Sequence, residues 1–123
     1  MGTFEEELER QFLALEKMMA ERIGCPNGIQ SLVGKSFGFK GNDLVALNET
    51  FDVKGRITGA AFKRFSDFAE YVHIVLTLDV DGHPLAEGEA AHQLVYYALM
   101  GSGNWCYLSE PERAGVHGTL VIL

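Results

Sequence analysis

Apolar side chains recur at helical spacing near the start of the chain. Thr3 and Glu6 have the spacing of a capping box, and Gly24 followed by Pro26 is typical of a helix end. Six apolar residues fall within about 60° of one direction at about 100° per residue: Phe4, Leu8, Phe12, Leu15, Met19 and Ile23. The pattern predicts one amphipathic helix over about residues 4–23, with this apolar stripe packed on a sheet.

After residue 28 the pattern changes to short β-rich runs separated by glycine turns. Seven runs are candidate strands, at residues 31–39, 44–53, 56–63, 71–80, 85–100, 105–109 and 116–123. Lys54-Gly55 and Asp81-Gly82 are two of the predicted turns. No repeat or linker divides residues 1–123, so we expect one α+β domain. In it, the N-terminal helix packs on a curved antiparallel sheet of six or seven strands, a meander over about residues 31–123.

Residues 89–100 fit two patterns. A helix over this segment would have one apolar and one polar face, and Gly101 is placed to end it. The run Val95-Tyr96-Tyr97 and the hairpin before it favour a strand. We expect the strand; the helical alternative gives a two-helix α+β domain.

The strict alternation of residues 71–80 sets the register of the hairpin that follows. Its even positions are all apolar and are predicted to face inward: Val72, Ile74, Leu76, Leu78 and Val80. A three-residue loop ending at Gly82 keeps Glu87 and Glu89 off that face, whereas a two-residue loop would bury both carboxylates. The resulting register pairs Leu76 with Ala86, Ile74 with Gly88, and Val72 with Ala90.

On the inner face of this hairpin, large side chains stand opposite three small residues, Ala86, Gly88 and Ala90. The trough over them is either filled by helix residues such as Phe12 or open to a small apolar ligand. His92, further along the same face, would be the polar group in the wall of that pocket. These five residues are the candidate ligand-binding residues.

On the outer face, the same register places His73 across from Glu89. A carboxylate beside an imidazole fixes its tautomer and raises its basicity, which a general base needs. Cross-strand pairs of histidine and glutamate are also common on exposed sheet surfaces. His73 and Glu89 are therefore candidate catalytic residues, with an ordinary surface pair as the alternative.

Charge excludes one large class of function. The chain has 123 residues, is 47% hydrophobic and carries a net charge of −7. Residues 71–123 hold six acids and a single base, Arg113. Such an acidic surface has no general attraction to phosphate, so we expect no nucleic-acid partner.

The sequence lacks signals for export, membrane insertion and metal binding. Acids at residues 5–7 stand where a secretory signal has bases, and the longest apolar run, 94–100, is shorter than the roughly 18 residues of a membrane span. Cys25 and Cys106 have no metal or redox spacing and are expected to be thiols. We expect a cytoplasmic protein with no membrane contact, no metal and no cofactor.

One segment carries a family resemblance. Within residues 78–90, Asp81-Gly82 leads into Ala86-Glu87-Gly88. This hairpin resembles that of hot-dog-fold dehydratases and thioesterases, and the resemblance implies acyl-thioester chemistry. Those enzymes carry the catalytic residue on or beside a central helix. The predicted helix over 4–23 contains no histidine or asparagine, so the resemblance assigns no catalytic residue.

The patterns support two hypotheses about function. The first is a small binding or interaction protein that forms a homodimer and holds a small apolar ligand between helix and sheet. Free sheet edges and exposed aromatic side chains would form the dimer contact; the aromatic candidates are Tyr96, Tyr97, Trp105 and Tyr107. The second is a small enzyme on a hot-dog-like or related α+β scaffold, with a histidine general base.

Overall fold

The computed structural model describes residues 3–43, 49–64, 72–82, 91–97, 105–108 and 116–123. These residues form one α-helix and six strands, which confirms the predicted α+β class. The elements are α1 (Phe4–Arg22), a short 3-10 segment (Ile29–Leu32), β1 (Ser36–Asp43), β2 (Glu49–Arg64), β3 (Val72–Val80), β4 (His92–Tyr97), β5 (Trp105–Leu108) and β6 (Val116–Ile122). Among the described residues, no helix is both long and apolar enough to cross a membrane.

The ends of α1 are where the sequence predicts them. The Thr3 hydroxyl accepts a hydrogen bond from the Glu6 N–H, at 3.2 Å. At the other end Gly24 has a φ of 84°, and its N–H donates to the Glu21 carbonyl. The Cys25 N–H donates to the Ala20 carbonyl, at 2.8 Å. This pair of bonds is a Schellman motif, which requires the left-handed conformation that glycine adopts without strain.

The strands form a closed barrel in sequence order, with every neighbouring pair antiparallel. Pairing of β6 with β1 closes it, from Phe37 opposite Ile122 to Asn42 opposite His117. The prediction of free sheet edges is therefore wrong for the described strands. In an open sheet, the outermost strands of the meander would leave backbone N–H and C=O groups exposed to solvent. Closure of the barrel pairs these groups with a neighbouring strand.

One long strand replaces two of the predicted ones. The runs at 44–53 and 56–63 both contribute to β2, and the turn predicted at Lys54-Gly55 is wrong. Gly55 pairs with Phe37 on one side and with Val80 on the other, so it lies where β2 passes from one neighbour to the next. This merger is why the described residues form six strands and not seven.

The strands are strongly staggered around the barrel. The stagger can be measured by starting at Thr50 on β2 and moving from each residue to its paired residue on the next strand. One circuit of the barrel returns to β2 at Ala61, eleven positions further along the chain. One of these eleven positions is the extra residue of a bulge between Ile57 and Gly59. Such a stagger tilts the strands steeply against the barrel axis. It also lets β2 pair with β1 through its first half and with β3 through its second.

The chain between α1 and β1 covers the part of β2 that β1 does not reach. Gly34 N–H donates to the Ile57 carbonyl at 2.7 Å, and Ile57 N–H donates to the Lys35 carbonyl at 2.9 Å. Further along, the Gln30 side-chain amide donates to the Ala60 carbonyl. Ile57 and Ala60 of β2 thus have hydrogen-bond partners on the side that β1 does not reach.

The alternation of β3 is confirmed, but the register of the next strand is not. The even positions of β3 are all buried, at 4% exposure or less. Leu76 lies opposite Leu94 and not opposite Ala86, a shift of eight residues. Residues 81–91 lie between β3 and β4, so the predicted tight hairpin is wrong. A shift by an even number of residues leaves each residue on its predicted face, so the alternation of inward and outward residues is unchanged.

The choice between strand and helix for residues 89–100 is settled for the part that the structure describes. The predicted strand is confirmed for His92–Tyr97.

Helix α1 packs against the end of the barrel where β2 ends and β3 begins. Arg64, the last residue of β2, donates from Nε to Glu16 and from Nη1 to Glu9, both at 2.7 Å. Its guanidinium lies 4.4 Å from the centre of the Phe12 ring. Phe12 is buried in the barrel core, as predicted, whereas Phe4 is 78% exposed. The apolar stripe therefore packs over a shorter length than its sequence pattern indicates.

Replacing Arg64 tests this attachment. Arg64→Met keeps an aliphatic side chain over Phe12 but leaves Glu16, whose side chain is only 14% exposed, without its cation. We expect the free energy of unfolding to fall by about 1–3 kcal/mol. The neighbouring Lys63 is exposed, so Lys63→Met should change it by less than about 0.5 kcal/mol. Urea unfolding of both variants makes the comparison, and equal losses would contradict the assigned role of Arg64.

Gly118 tests barrel closure. A Cβ at Gly118 would overlap the Lys40 carbonyl oxygen and lie 2.6 Å from the Gly41 Cα. Gly118→Ala is therefore expected to lower the free energy of unfolding by about 1–3 kcal/mol or to prevent folding. Gly38→Ala on the same pair of strands is the control, because its Cβ meets only Leu123 Cδ1 at 4.0 Å. Chemical denaturation that shows the two variants equally stable would rule out the close approach of β6 to β1.

Candidate functional site

The candidate site lies at the distal end of the barrel, where β3 ends and β4 begins, away from α1. His92 is the first residue of β4, pairs with Leu78 and is half-buried on the inward face. Its Nδ1 is hydrogen-bonded to the phenol oxygen of Tyr107 on β5, and the two rings meet edge to face with centroids 5.6 Å apart. Tyr107 stacks on Phe39, with centroids 5.7 Å apart.

The strands determine which side chains meet here. Leu94 pairs with Tyr107, so His92, two residues earlier on β4, lies diagonally opposite Tyr107 on the same face. Phe39 reaches the same cluster from β1 through the barrel interior. The site therefore forms only when strands from distant parts of the sequence close around one core.

Burial controls the protonation of the phenol. Tyr107 is 3% exposed, and burial raises its pKa to about 12 because the phenolate would lose its hydration. The phenol therefore remains protonated at neutral pH. Either it donates to His92 Nδ1, or a protonated Nδ1 donates to it, and in both arrangements the bond orients the imidazole ring.

A second phenol lies in the barrel interior without a partner among the described residues. Tyr96 is 2% exposed and faces inward beside Trp105, with ring centroids 5.2 Å apart. No described donor or acceptor lies within hydrogen-bonding distance of its buried hydroxyl. A buried hydroxyl without a partner costs free energy, so Tyr96 and Tyr107 differ in energetic role although both are buried.

Phe12 and His92, the two predicted ligand-binding residues that the structure describes, are not brought together. Phe12 contacts Arg64, which pairs with Val72, whereas His92 pairs with Leu78. Val72 and Leu78 are six positions apart on β3, about 20 Å along the strand.

The register also changes which residues stand opposite the inward side chains of β3. Large side chains, Leu94 and Tyr96, stand opposite Leu76 and Ile74, where small residues were expected. The small residues themselves, Ala86, Gly88 and Ala90, lie outside the described residues.

The observed strand register does not pair the two predicted catalytic residues, His73 and Glu89. His73 lies opposite Tyr97 on one side and Lys63 on the other, so the cross-strand pairing with Glu89 is wrong. Glu89 itself lies outside the described residues. Partial burial lowers the pKa of His73, which favours its neutral form.

Both cysteines are buried free thiols, and burial raises the pKa of Cys106.

Sequence reasoning missed Tyr107 as the partner of His92. The sequence pattern of 105–109 left Trp105 and Tyr107 as candidates for exposure to a partner chain, yet both are buried inside the barrel. Their two-residue spacing is a signal for one shared face, but it does not say which face.

Comparison with protein-family models, with curated proteins and with solved structures found no match to this chain. The hot-dog-fold resemblance therefore stays an untested prediction, and residues 83–90, which carry most of it, lie outside the described residues. The geometry of His92 and Tyr107 is what supports a functional assignment.

The two buried phenols provide a matched test of the site. Tyr107→Phe removes the partner of His92 Nδ1 and is expected to lower the free energy of unfolding by about 1–2 kcal/mol. Tyr96→Phe removes a hydroxyl that has no described partner and should leave stability unchanged or raise it. Thermal and urea unfolding of both variants measure the two changes in the free energy of unfolding. A loss in Tyr96→Phe as large as in Tyr107→Phe would contradict this difference.

Proposed function

We propose that the protein is a non-enzymatic binding protein that takes a small, mainly apolar ligand with one polar group at the distal end of the barrel. The observation that carries the proposal is the hydrogen bond between His92 and Tyr107. It puts one oriented polar pair among apolar side chains, next to Phe39. Sites for small molecules commonly combine mostly apolar walls with a few polar groups, and the ends of β-barrels are frequent locations.

The chemistry of the surroundings selects the class of ligand. Phe39 and Tyr107 are both buried and stack on each other, so the surroundings of His92 are apolar and aromatic, which favours a ligand body of the same kind. The half-buried imidazole can donate to or accept from a ligand hydroxyl or amide. The net charge of −7 gives the chain no general attraction for anionic ligands. A neutral ligand with one hydroxyl or amide fits these conditions.

The neutral Tyr107 phenol beside His92 is the reason that we favour a binding role over a histidine general base. A general base of this kind needs a neighbour that raises the basicity of the imidazole, usually a carboxylate. Tyr107, which is hydrogen-bonded to His92, has its pKa raised to about 12 by burial, so this phenol itself stays neutral and adds no charge beside the imidazole. His73 lies on the outer face and is paired with Tyr97.

Two probes of the same shape test the proposal. 1-Naphthol and naphthalene share an apolar body, and only the first has a hydroxyl. We expect 1-naphthol to bind about tenfold more tightly, because the hydroxyl joins the His92–Tyr107 hydrogen bond. Backbone amide shifts in an NMR titration should locate both probes near residues 92–96 and 105–107.

The variants make the probe experiment specific. His92→Phe and Tyr107→Phe should abolish the preference for 1-naphthol. His73→Gln is the matched control, because this histidine lies on the outer face and should leave the preference intact. No binding of either probe, shifts confined to α1, or an unchanged preference in His92→Phe would each reject the proposal.

A further inference from the structure

A groove runs along the outer face of β1, separate from the distal end of the barrel. Its volume is about 490 Å³. Gly38 forms the floor, with Lys54 paired to it on β2 and Val121 paired to it on β6. The other residues that line it are Lys40, Asp52, Thr119 and Leu123. The groove exists because Gly38 has no side chain between two strands whose side chains project outward.

The two walls of the groove differ in chemistry. On the β6 side, Val121 and Leu123 are 52% and 68% exposed. The other wall carries Lys40 of β1 with Asp52 and Lys54 of β2, and the Asp52 carboxylate lies 3.9 Å from the Lys40 ammonium. The three charged residues leave the groove net positive, on a chain whose net charge is −7. An occupant should therefore combine an apolar group with negative charge.

The first turn of α1 has this composition. Phe4 is 78% exposed, the most exposed of the large apolar residues that the structure describes. Glu5, Glu6 and Glu7 follow it, and all three are exposed. Arg64 holds the same helix to the barrel through Glu9 and Glu16, so this turn stays outside the core of its own chain.

We propose that this turn occupies the groove of a second copy of the chain. Phe4 of one copy packs over Gly38, against Val121 and Leu123 of the other. The glutamates that follow it face Lys40 and Lys54. Among the described strands, closure of the barrel removes the free edges through which a homodimer was expected, so a contact between side-chain surfaces such as this one is the alternative.

Sedimentation equilibrium of single variants tests the contact. We expect the wild type to associate at micromolar concentrations, and Phe4→Ala or Lys54→Glu to weaken association by about tenfold or more. Leu13→Ala is the control for Phe4, because Leu13 is another exposed apolar residue of α1, at 54%. Lys63→Glu is the control for Lys54, because it reverses an exposed charge on the same strand outside the groove. Both controls should associate like the wild type.

Mixing the two defective variants shows whether the two surfaces bind each other. Lys54→Glu keeps an intact helix start and Phe4→Ala keeps an intact groove, so their mixture should associate at a concentration where each variant alone is monomeric. Added salt should weaken wild-type association, because it screens the charges. A wild type that is monomeric at high micromolar concentration, variants that associate like the wild type, or a mixture that stays monomeric would each overturn the proposal.

Discussion

The pairing of β6 with β1 is the contact on which the rest of the structure depends. It joins the first and last strands of the chain and converts a meander into a closed barrel. The strands approach so closely at Gly118 that a side chain there would overlap the backbone of β1. Once the barrel is closed, every strand has one face toward a shared core, and alternation along each strand decides what enters that core.

Closure also makes the two ends of the barrel different. One end is covered by α1, which Arg64 attaches through two carboxylates and the Phe12 ring. At the distal end the inward positions carry His92 and Tyr107, joined by a hydrogen bond. An apolar helix face at one end and a polar pair at the other agree with a division between a structural end and a binding end.

The outer surface follows from the same geometry. Because Gly38 lies between side-chain-bearing positions of β2 and β6, it leaves a groove with one apolar and one basic wall. The exposed first turn of α1 is apolar and acidic. In the two proposals, the inner site would select a ligand by shape and a single polar pair, whereas the outer groove would select by charge and apolar contact.

Local sequence patterns by themselves determined the helix, its two caps and the inward face of β3, because each depends on residues only a few positions apart. They also led to the right face for His92, since an error of eight residues in register leaves alternation unchanged. Only the tertiary structure decided that β2 continues through Gly55, that Leu76 meets Leu94, and that Tyr107 contacts His92. A period of two specifies a face but not the distance along the chain to the partner, and that distance is decided by packing and closure of the whole barrel.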